Sequence, residues 1–293
     1  MFTSKSIWGL DIGESSIKAV LLQKEKDGGK LRILDYDYVE LDTDLKAEIG
    51  ASPVIQDALQ ELAGRRKFAG TEVCVSVSSK IVNARSDSLP GDLNPKTIQS
   101  AILLEARKQI PFPLEEVQWA YHRFPDRDGQ IQFSTFAVRN EQIEQLMGCL
   151  NLKGLKTRGI QVPGVALYNY ISLLSDTDDV IIAIDFGEKS TTLIVIHDGC
   201  CWLRSLPLSG HDITELLKNK FRITTKEAMA LKQEMSKSSQ KAKLFHVIEP
   251  ALKELVIEIK RSVNFRKTQV KSLNQTKFIA FGGSTHLPSV TDY

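Results

Sequence analysis

The chain has 293 residues, 42% hydrophobic and 25% charged, which is ordinary for a globular protein large enough for two domains with their own cores. Its net charge of +2 gives no general attraction to nucleic acid or anionic membrane, so neither is predicted as a direct partner. Because no apolar run approaches the roughly 20 residues of a membrane helix and no signal peptide precedes the first strand, we expect a cytoplasmic protein that reaches a membrane only through a partner.

The four cysteines show neither the spacing of metal ligands nor a disulfide framework. Cys200 and Cys201 are adjacent, which suits a disulfide poorly. Cys74 and Cys149 lie within apolar patterns, so we expect them to be buried and reduced.

The first predicted element is a β-hairpin closed by a glycine turn. An apolar strand leads to Asp11 and Gly13, the turn continues as Glu14-Ser15-Ser16, and a second apolar strand begins at Ile17. Glycine allows close approach of a ligand to the backbone, and exposed amides bind anions. The turn is therefore a candidate phosphate site.

The next elements complete a strand-rich first part. The pattern predicts a third strand over 31–41 and a helix from Pro53, which suits the first helical position and has Ser52 as its cap. Strict alternation over 71–78 predicts another strand.

Residues 82–162 are predicted to form a compact insertion of order β-α-β-β-α-β, a small sheet backed by two helices. Asn94-Pro95 begins its first helix, which ends at the Pro-Phe-Pro corner of residues 111–113 because proline cannot continue the helical hydrogen bonds. The remaining elements are strands over 117–124 and 131–138, a helix over 141–152 capped by Asn140, and a strand over 156–162.

The hairpin pattern then recurs. After a predicted helix over 162–174 and a polar hinge over 175–179, Asp185 and Gly187 stand between two apolar strands. The turn continues as Glu188-Lys189-Ser190 and leads to Thr191. One such turn alone is commonly an ordinary glycine turn, but its recurrence predicts two related lobes.

The aspartate before each turn suits a magnesium ion, because Mg²⁺ keeps most of its hydration shell and takes few carboxylates. We therefore predict that Asp11 and Asp185 hold Mg²⁺ through water. The two turns would then clamp the triphosphate of a nucleotide from both sides.

The last part of the chain is predicted to be largely helical. Gly210 lies at a corner that leads into a helix, Thr224 or Thr225 caps the next, and the longest helix is predicted to open at Ile248-Glu249-Pro250 after a basic, serine-rich loop over 237–243. A final strand from Lys277 ends in Gly-Gly-Ser at residues 282–284.

In this order the two Asp-x-Gly hairpins and the Gly-Gly-Ser corner resemble the phosphate-1, phosphate-2 and adenosine motifs of the actin-like ATPase superfamily. The resemblance implies a two-lobed α/β fold of the ribonuclease H type that binds ATP and Mg²⁺. The nucleotide-binding residues that it implies are Asp11, Gly13, Glu14, Ser15, Ser16, Lys18, Asp185, Gly187, Lys189, Ser190, Thr191, Lys232, Gly282, Gly283 and Ser284.

One position departs from that pattern. The segment 227–232 is similar to one that usually places Glu after its first Ala and Lys at its end, where both reach the ribose and base. Lys232 matches, but Met229 stands at the acidic position. The departure removes one expected ribose contact and predicts weak or altered nucleotide affinity.

Residues 103–117, with the sequence LLEARKQIPFPLEEV, resemble the signature of the type IV pilus assembly protein PilM family, which shares its insertion with the division protein FtsA. The resemblance implies a groove near the insertion that docks the cytoplasmic N-terminal peptide of a PilN-like inner-membrane protein, with pilus assembly ATPases as further contacts. From the residues alone, Phe112 and Leu114 serve equally well to pack the core of the insertion.

The resemblance also divides the chain. It assigns 1–81 and 163–178 to the first lobe, 82–162 to the FtsA/PilM-type inserted α+β subdomain, and 179–293 to the second lobe, with 211–268 as its largely helical inserted part. Members of the family continue further, which implies that the end of this chain is shortened.

Other classes stay open. A phosphotransferase of the sugar-kinase branch needs a carboxylate base between the two turns, and no Gly-x-Asp pattern follows a strand there. A filament protein like FtsA requires an amphipathic C-terminal membrane helix, and the related type II secretion domain normally continues into a membrane span.

For hydrolysis, Gln161, Glu14 and Glu188 are polar candidates among which the sequence does not select, so we expect at most a slow ATPase.

Overall fold

The computed structural model describes residues 6–25, 30–41, 53–68, 70–126, 129–174, 180–197, 199–267 and 276–287. The chain divides into two compact units, the first formed by Met1–His122 and Phe133–Leu167 and the second by Arg123–Gln132 and Tyr168–Tyr293. The predicted cap Ser52 and the predicted hinge over 175–179 lie outside the described residues.

The first unit contains one main sheet and most of a small sheet, of which Arg123 and residues 130–132 belong to the second unit. Its strands are β1 (Ser6–Ile12), β2 (Ser16–Lys24), β3 (Leu31–Glu40), β4 (Glu72–Ser76), β5 (Asn83–Pro90), β6 (Val117–Arg123), β7 (Gln130–Arg139) and β8 (Lys156–Gln161). Its helices are α1 (Pro53–Arg65), α2 (Pro95–Gln109) and α3 (Asn140–Leu152), and α4 (Pro163–Leu174) follows β8. The main sheet, which we call the first sheet, has the order β3-β2-β1-β4-β8.

One face of the first sheet packs against α1 and α3. Alternate residues of β1 point into this core, among them Trp8, Leu10 and Ile12, because successive side chains of a strand face opposite sides. They share the core with Leu59 of α1 and Leu146 of α3. This packing fixes β1, and with it the turn that β1 carries at its end.

The predicted insertion differs from the structure at α3 and β8. Both were expected to complete the small sheet, but β8 pairs in parallel with β4, Gln161 beside Ser76, and α3 packs into the core of the first sheet. The small sheet has the order β5-β7-β6. An apolar alternation predicts a strand but not the sheet edge that it joins, because long-range pairing decides that. The division into lobes and insertion stays a prediction, with these two elements reassigned.

Helix α2 begins and ends where the sequence predicts. The Asn94 side chain accepts a hydrogen bond from the Lys96 amide at 3.0 Å, and Pro95 occupies the first turn. The helix ends at Gln109, just before Ile110 and Pro111. The side-chain amide of Gln109, the last residue of the helix, donates a hydrogen bond to the carboxylate of Asp87 on β5. This contact attaches the helix to the small sheet.

The second unit repeats the topology of the first sheet. Its strands are β9 (Val180–Phe186), β10 (Thr191–His197), β11 (Cys200–Leu206) and β12 (Thr276–Phe281), and its helices are α5 (Gly210–Phe221), α6 (Thr225–Gln233) and α7 (Lys241–Lys267). In the sheet β11-β10-β9-β12, the first three strands are antiparallel and β12 runs parallel to β9. The order β3-β2-β1-β4 has the same directions, so the recurrence predicted from the sequence is a recurrence of fold.

The cysteines are reduced, as expected. None of the four forms a disulfide; Cys149 and Cys201 are buried, while Cys74, which was expected to be buried, is only partly so. Burial raises the pKa of the Cys201 thiol far above its usual range.

Among the helices in the described ranges, none combines the length and apolar character that a bilayer span requires.

Helix α7 begins earlier than predicted. It starts at Lys241, so Pro250 lies in its interior instead of at its opening. Proline removes one helical hydrogen bond and crowds the preceding turn. Leu244 and Ile248 before the proline, and Leu252 and Leu255 after it, are all buried in the core of the second unit. That continuous apolar face outweighs the local cost of the proline.

We therefore predict that Pro250→Ala stabilises the protein by about 1 kcal/mol or more, because alanine restores the missing hydrogen bond in a helix interior. Pro250 is exposed, so little packing is lost. Urea unfolding followed by circular dichroism measures the effect, with the exposed Lys253→Ala on the same helix as the control. A lower unfolding free energy for Pro250→Ala than for wild type would contradict this account.

Candidate functional site

The two glycine turns have the same backbone geometry. In the first unit the Gly13 amide donates to the Ser16 carbonyl at 3.1 Å, and in the second the Gly187 amide donates to the Ser190 carbonyl at 3.0 Å. Both loops are four residues long between the last paired residues of their strands. The sequence similarity between the turns therefore reflects one shared local structure.

Each turn requires glycine at its first position. A Cβ atom on Gly13 would lie 3.0 Å from the Ser16 carbonyl oxygen, and one on Gly187 would lie 2.9 Å from the Ser190 carbonyl oxygen. Both separations are shorter than ordinary van der Waals contacts, and the obstacle is backbone that cannot swing aside. The missing side chain also leaves the backbone open to close approach by a ligand.

Glu14 attaches the first turn to the strand beside it. Ser78, two residues beyond the end of β4, donates its hydroxyl to Glu14 Oε1 at 2.5 Å. The Lys80 ammonium lies 3.4 Å from Glu14 Oε2, and the Glu14 side chain is nearly buried. The carboxylate therefore acts as an anchor within the first unit.

Asp11 and Lys18 form a cross-strand pair at the mouth of the first turn. They stand opposite each other on β1 and β2, with Lys18 Nζ 3.6 Å from Asp11 Oδ2. Both side chains are largely exposed, so water screens their attraction and the pair contributes little to stability. A carboxylate and an ammonium thus stand beside the turn in contact with solvent. Ser15 is partly buried and Ser16 buried.

Glu188 holds the equivalent position in the second turn and is anchored in the same way. The Lys232 ammonium donates to Glu188 Oε2 at 2.6 Å and to the Gly210 carbonyl at 3.0 Å. The Lys232 side chain is only 9% exposed. A buried ammonium needs such partners, because desolvation disfavours an unpaired charge.

The start of helix α5 closes over the second turn. The Gly210 amide donates to the Gly187 carbonyl at 2.9 Å, and the His211 amide donates to the Glu188 carbonyl at 2.5 Å. A Cβ atom on Gly210 would collide with the Ser284 hydroxyl and the Glu188 carboxylate. The first two amides of α5 therefore donate hydrogen bonds to carbonyl groups of the turn.

The Gly-Gly-Ser corner reaches the same turn from the end of β12. The Ser284 hydroxyl donates to the Gly187 carbonyl at 3.4 Å. Gly282 has a φ of +92°, and a Cβ atom there would collide with the backbone of Phe186. In the second unit, the predicted phosphate-2 and adenosine motifs and Lys232 therefore meet at one place.

Two predicted nucleotide contacts have surroundings that the sequence did not reveal. Lys232 is occupied by Glu188 and Gly210. Thr191 is fully buried, and its hydroxyl has no hydrogen-bond partner. Their contact with nucleotide stays a prediction, as do the roles of the exposed Lys18 and the partly buried Lys189.

The acidic residue nearest Met229 does not replace the missing Glu. Glu227 accepts hydrogen bonds from the amide and the hydroxyl of Thr224, at 2.8 Å each, and forms the capping box of α6. These hydrogen bonds hold the pKa of the Glu227 carboxyl below its usual range. The structure thus selects Thr224 over Thr225 as the cap.

Sequence reasoning missed the anchoring partners. Ser78, Lys80 and Gly210 were not predicted to contact either turn. One signal was available, because Glu14 and Glu188 occupy the same place in the two turns. A glutamate that recurs in a turn together with its glycine points to a shared role.

The described residues hold no group of three or more His, Cys, Asp or Glu side chains that could bind a metal ion directly. Asp11 and Asp185 stand at corresponding places, each two residues before the glycine of its turn. A hydrated Mg²⁺ needs only one or two carboxylates. Each turn thus offers one such carboxylate beside its hydroxyl groups. This set of side chains is compatible with hydrated magnesium, and their contact with magnesium and phosphate stays a prediction.

Two sheets of one topology, each with an Asp-x-Gly hairpin at corresponding strands, define an actin-like ATPase fold. The family model for the type IV pilus assembly protein PilM matches residues 9–293, and the chain belongs to that family. Both the predicted fold class and the predicted family are confirmed.

Two solved structures show the same fold. The structure is similar to that of a PilM-PilN type IV pilus biogenesis complex, with a TM-score of 0.80 and 24% identity over 99% of this chain and 85% of that chain. It is also similar to the ethanolamine utilization protein EutJ from Carboxydothermus hydrogenoformans, with a TM-score of 0.55 and 13% identity over 99% of this chain and 81% of that one.

The anchoring of the second turn gives a stability prediction. We expect Lys232→Met to destabilise the protein by about 3 kcal/mol, because it leaves a largely buried carboxylate without its partner. The double variant Glu188→Gln with Lys232→Met should lose less than the two single variants together. Chemical unfolding of all four proteins completes the cycle.

Lys218→Met is the matched control, since Lys218 pairs with Glu215 on a more exposed part of α5. Its effect should stay below about 1 kcal/mol. Equal losses for the Lys232 and Lys218 variants would contradict the anchoring role.

Proposed function

We propose that this chain is an ATP-binding scaffold of type IV pilus assembly that docks the cytoplasmic N-terminal peptide of a PilN-like inner-membrane protein in a nucleotide-sensitive way. Membership of the PilM family supports the assignment to type IV pilus assembly. The observation that carries the nucleotide part is the duplicated glycine turn, in which both copies exclude a side chain and are anchored by glutamate.

Each turn supplies part of a phosphate site. Gly13 and Gly187 leave the backbone open, while Ser15 and Lys18 in the first turn and Lys189 in the second supply polar or cationic groups near it. Asp11 and Asp185 would orient the water shell of Mg²⁺, which would neutralise phosphate charge. Binding that favours one arrangement of the lobes would then bias partner docking.

Hydrolysis is expected to be slow. Phosphoryl transfer to water needs a side chain free to position the attacking water. Glu14 is held by Ser78 and Lys80, and Glu188 is held by Lys232. Both carboxylates serve as anchors, which supports a binding and switching role over rapid turnover.

The surface of the small sheet supports the proposed peptide site. Phe112, in the Pro-Phe-Pro corner, is 38% exposed and lies under the Arg139 guanidinium, 5.6 Å from the ring centroid. Leu104 on α2 is also exposed, whereas Leu114 packs against the small core. Exposed apolar side chains on a surface held by prolines offer contacts for the apolar side chains of an extended peptide.

The solved relative contains PilM together with PilN. A PilN-like partner would keep this chain in the cytoplasm at the face of the inner membrane. Pilus assembly ATPases are proposed as further contacts of the same machine.

We predict that Asp11→Ala and Asp185→Ala each weaken Mg·ATP binding by about tenfold or more, because each removes one charge-assisted interaction with the hydrated ion. Isothermal titration calorimetry with MgATP measures the change. The exposed Asp57→Ala on α1 serves as the charge-matched control and should bind as wild type does. Unchanged affinity in both site variants would reject the phosphate-site assignment.

We predict that Phe112→Ser weakens binding of a PilN-type N-terminal peptide by about fivefold or more, because central aromatic contacts carry much of an interface energy. Point substitution is preferable to deletion of 82–162, since that deletion removes α3 and β8 from the main core. Fluorescence anisotropy of a labelled peptide gives the affinity. Leu216→Ser, at an equally exposed leucine of α5, is the control, and equal effects of both substitutions would refute the docking site.

A further inference from the structure

Strand β3 forms one end of the first sheet, and every described strand that pairs with it lies on its β2 side. It exposes large apolar side chains: Ile33 is 63% exposed and Tyr36 is 72% exposed, and Leu31 and Tyr38 are also exposed. A sheet edge with exposed apolar side chains readily pairs with a strand of another molecule. The structure must therefore limit such pairing at β3.

The backbone groups that an incoming strand would use belong to Tyr36 and Tyr38. In an antiparallel pair, the amide and carbonyl of alternate residues point toward the partner strand or away from it. Tyr36 lies opposite Val20 and Tyr38 opposite Lys18, so the two tyrosines share one direction. Their amides and carbonyls bond to side chains instead of to β2, so they point outward.

Aspartates satisfy both outward amides. The Tyr36 amide donates to Asp35 Oδ1 at 2.9 Å, and the Tyr38 amide donates to Asp37 Oδ1 at 2.8 Å. Each carboxylate belongs to the residue just before the amide that it accepts from. In the repeat Asp-Tyr-Asp-Tyr, each aspartate side chain therefore accepts the hydrogen bond of the tyrosine amide that follows it.

Arginines from the end of α1 satisfy both outward carbonyls. Arg66 Nη2 donates to the Tyr36 carbonyl at 3.3 Å, and Arg65 Nη2 donates to the Tyr38 carbonyl at 2.9 Å. A guanidinium has five N–H donors in a planar fork, so each arginine can bind a carbonyl and a carboxylate together.

The same arginines hold the aspartates. Arg66 Nε lies 3.0 Å from Asp37 Oδ2 and 3.7 Å from Asp35 Oδ2, and Arg65 Nε lies 3.7 Å from Asp37 Oδ2. These are ion pairs; the aligned hydrogen bonds of both guanidinium groups go to the carbonyls. The four side chains, Asp35, Asp37, Arg65 and Arg66, thus form one network, which we call the edge network.

We propose that the edge network is a seal: it occupies the outward amides and carbonyls of Tyr36 and Tyr38 and prevents this part of the β3 edge from pairing with β3 of a second copy of the chain. Both donors and both acceptors of these two residues are occupied, which a chance set of surface ion pairs would not achieve. Asp35, Arg65 and Arg66 are each more than a third exposed, while Asp37 is 12% exposed. Water weakens ion pairs between such exposed side chains, so we assign the effect of the network to the strand pairing that it excludes.

The first test examines the wild-type protein by amide hydrogen exchange resolved to single residues. If the seal exists, the Tyr36 and Tyr38 amides exchange at least about tenfold more slowly than unprotected amides, although no strand among the described residues covers them. In Asp35→Ala with Asp37→Ala, their protection should be lost while that of β2 remains. Fast exchange of both amides in wild type would overturn the proposal, whatever the variants do.

The second test measures self-association by sedimentation velocity over a range of concentrations. The variant Arg65→Ser with Arg66→Ser should shift toward twice the mass of the wild type as concentration rises. The control is Arg85→Ser with Arg107→Ser, which removes the same charge from exposed positions of the first unit and should leave the mass distribution unchanged.

A third substitution separates strand pairing from simple apolar contact. Adding Tyr36→Pro to the arginine variant removes one outward amide without breaking a hydrogen bond to β2, since proline is tolerated at such positions of an edge strand. The extra association should then disappear. A folded arginine variant that stays at the wild-type mass, or association that persists with Tyr36→Pro, would refute the seal.

Discussion

The close packing of backbone around two glycine turns is the constraint on which the candidate site depends. At Gly13 and Gly187 a single added carbon would meet a carbonyl oxygen three residues further on. A turn this tight holds its backbone and hydroxyl groups at the end of a fixed strand, which is where the proposed phosphate would bind. The site therefore takes its precision from the sheets behind it.

The two turns are anchored by the same types of side chain, which come from different elements of the fold. In each, a glutamate one residue after the glycine is bound to a lysine, and a serine beyond the parallel strand donates to the turn. The lysine comes from a short helical turn in the first unit and from α6 in the second. The two sheets thus share the anchored position and differ in the elements that supply its partners.

Carboxylate and cation pairs have distinct effects in this molecule because their burial differs. The pair of Glu188 and Lys232 is nearly buried, so the loss of either member leaves an uncompensated charge. The pair of Asp11 and Lys18 is open to water, which screens the attraction between the two charges. The network on β3 is partly exposed, and its proposed effect comes from the backbone groups that it covers.

Local sequence patterns were sufficient to predict the individual elements and their recurrence. Asn94 and Pro95 begin a helix, Pro111 follows its end, and the two Asp-x-Gly turns predict paired lobes, because caps, prolines and glycines act through neighbouring residues. Three features became evident only in the folded chain: β8 pairs with β4, α7 continues through Pro250, and Lys232 contacts Glu188. Those outcomes depend on burial and on contacts between residues far apart in the chain, which a local pattern does not encode.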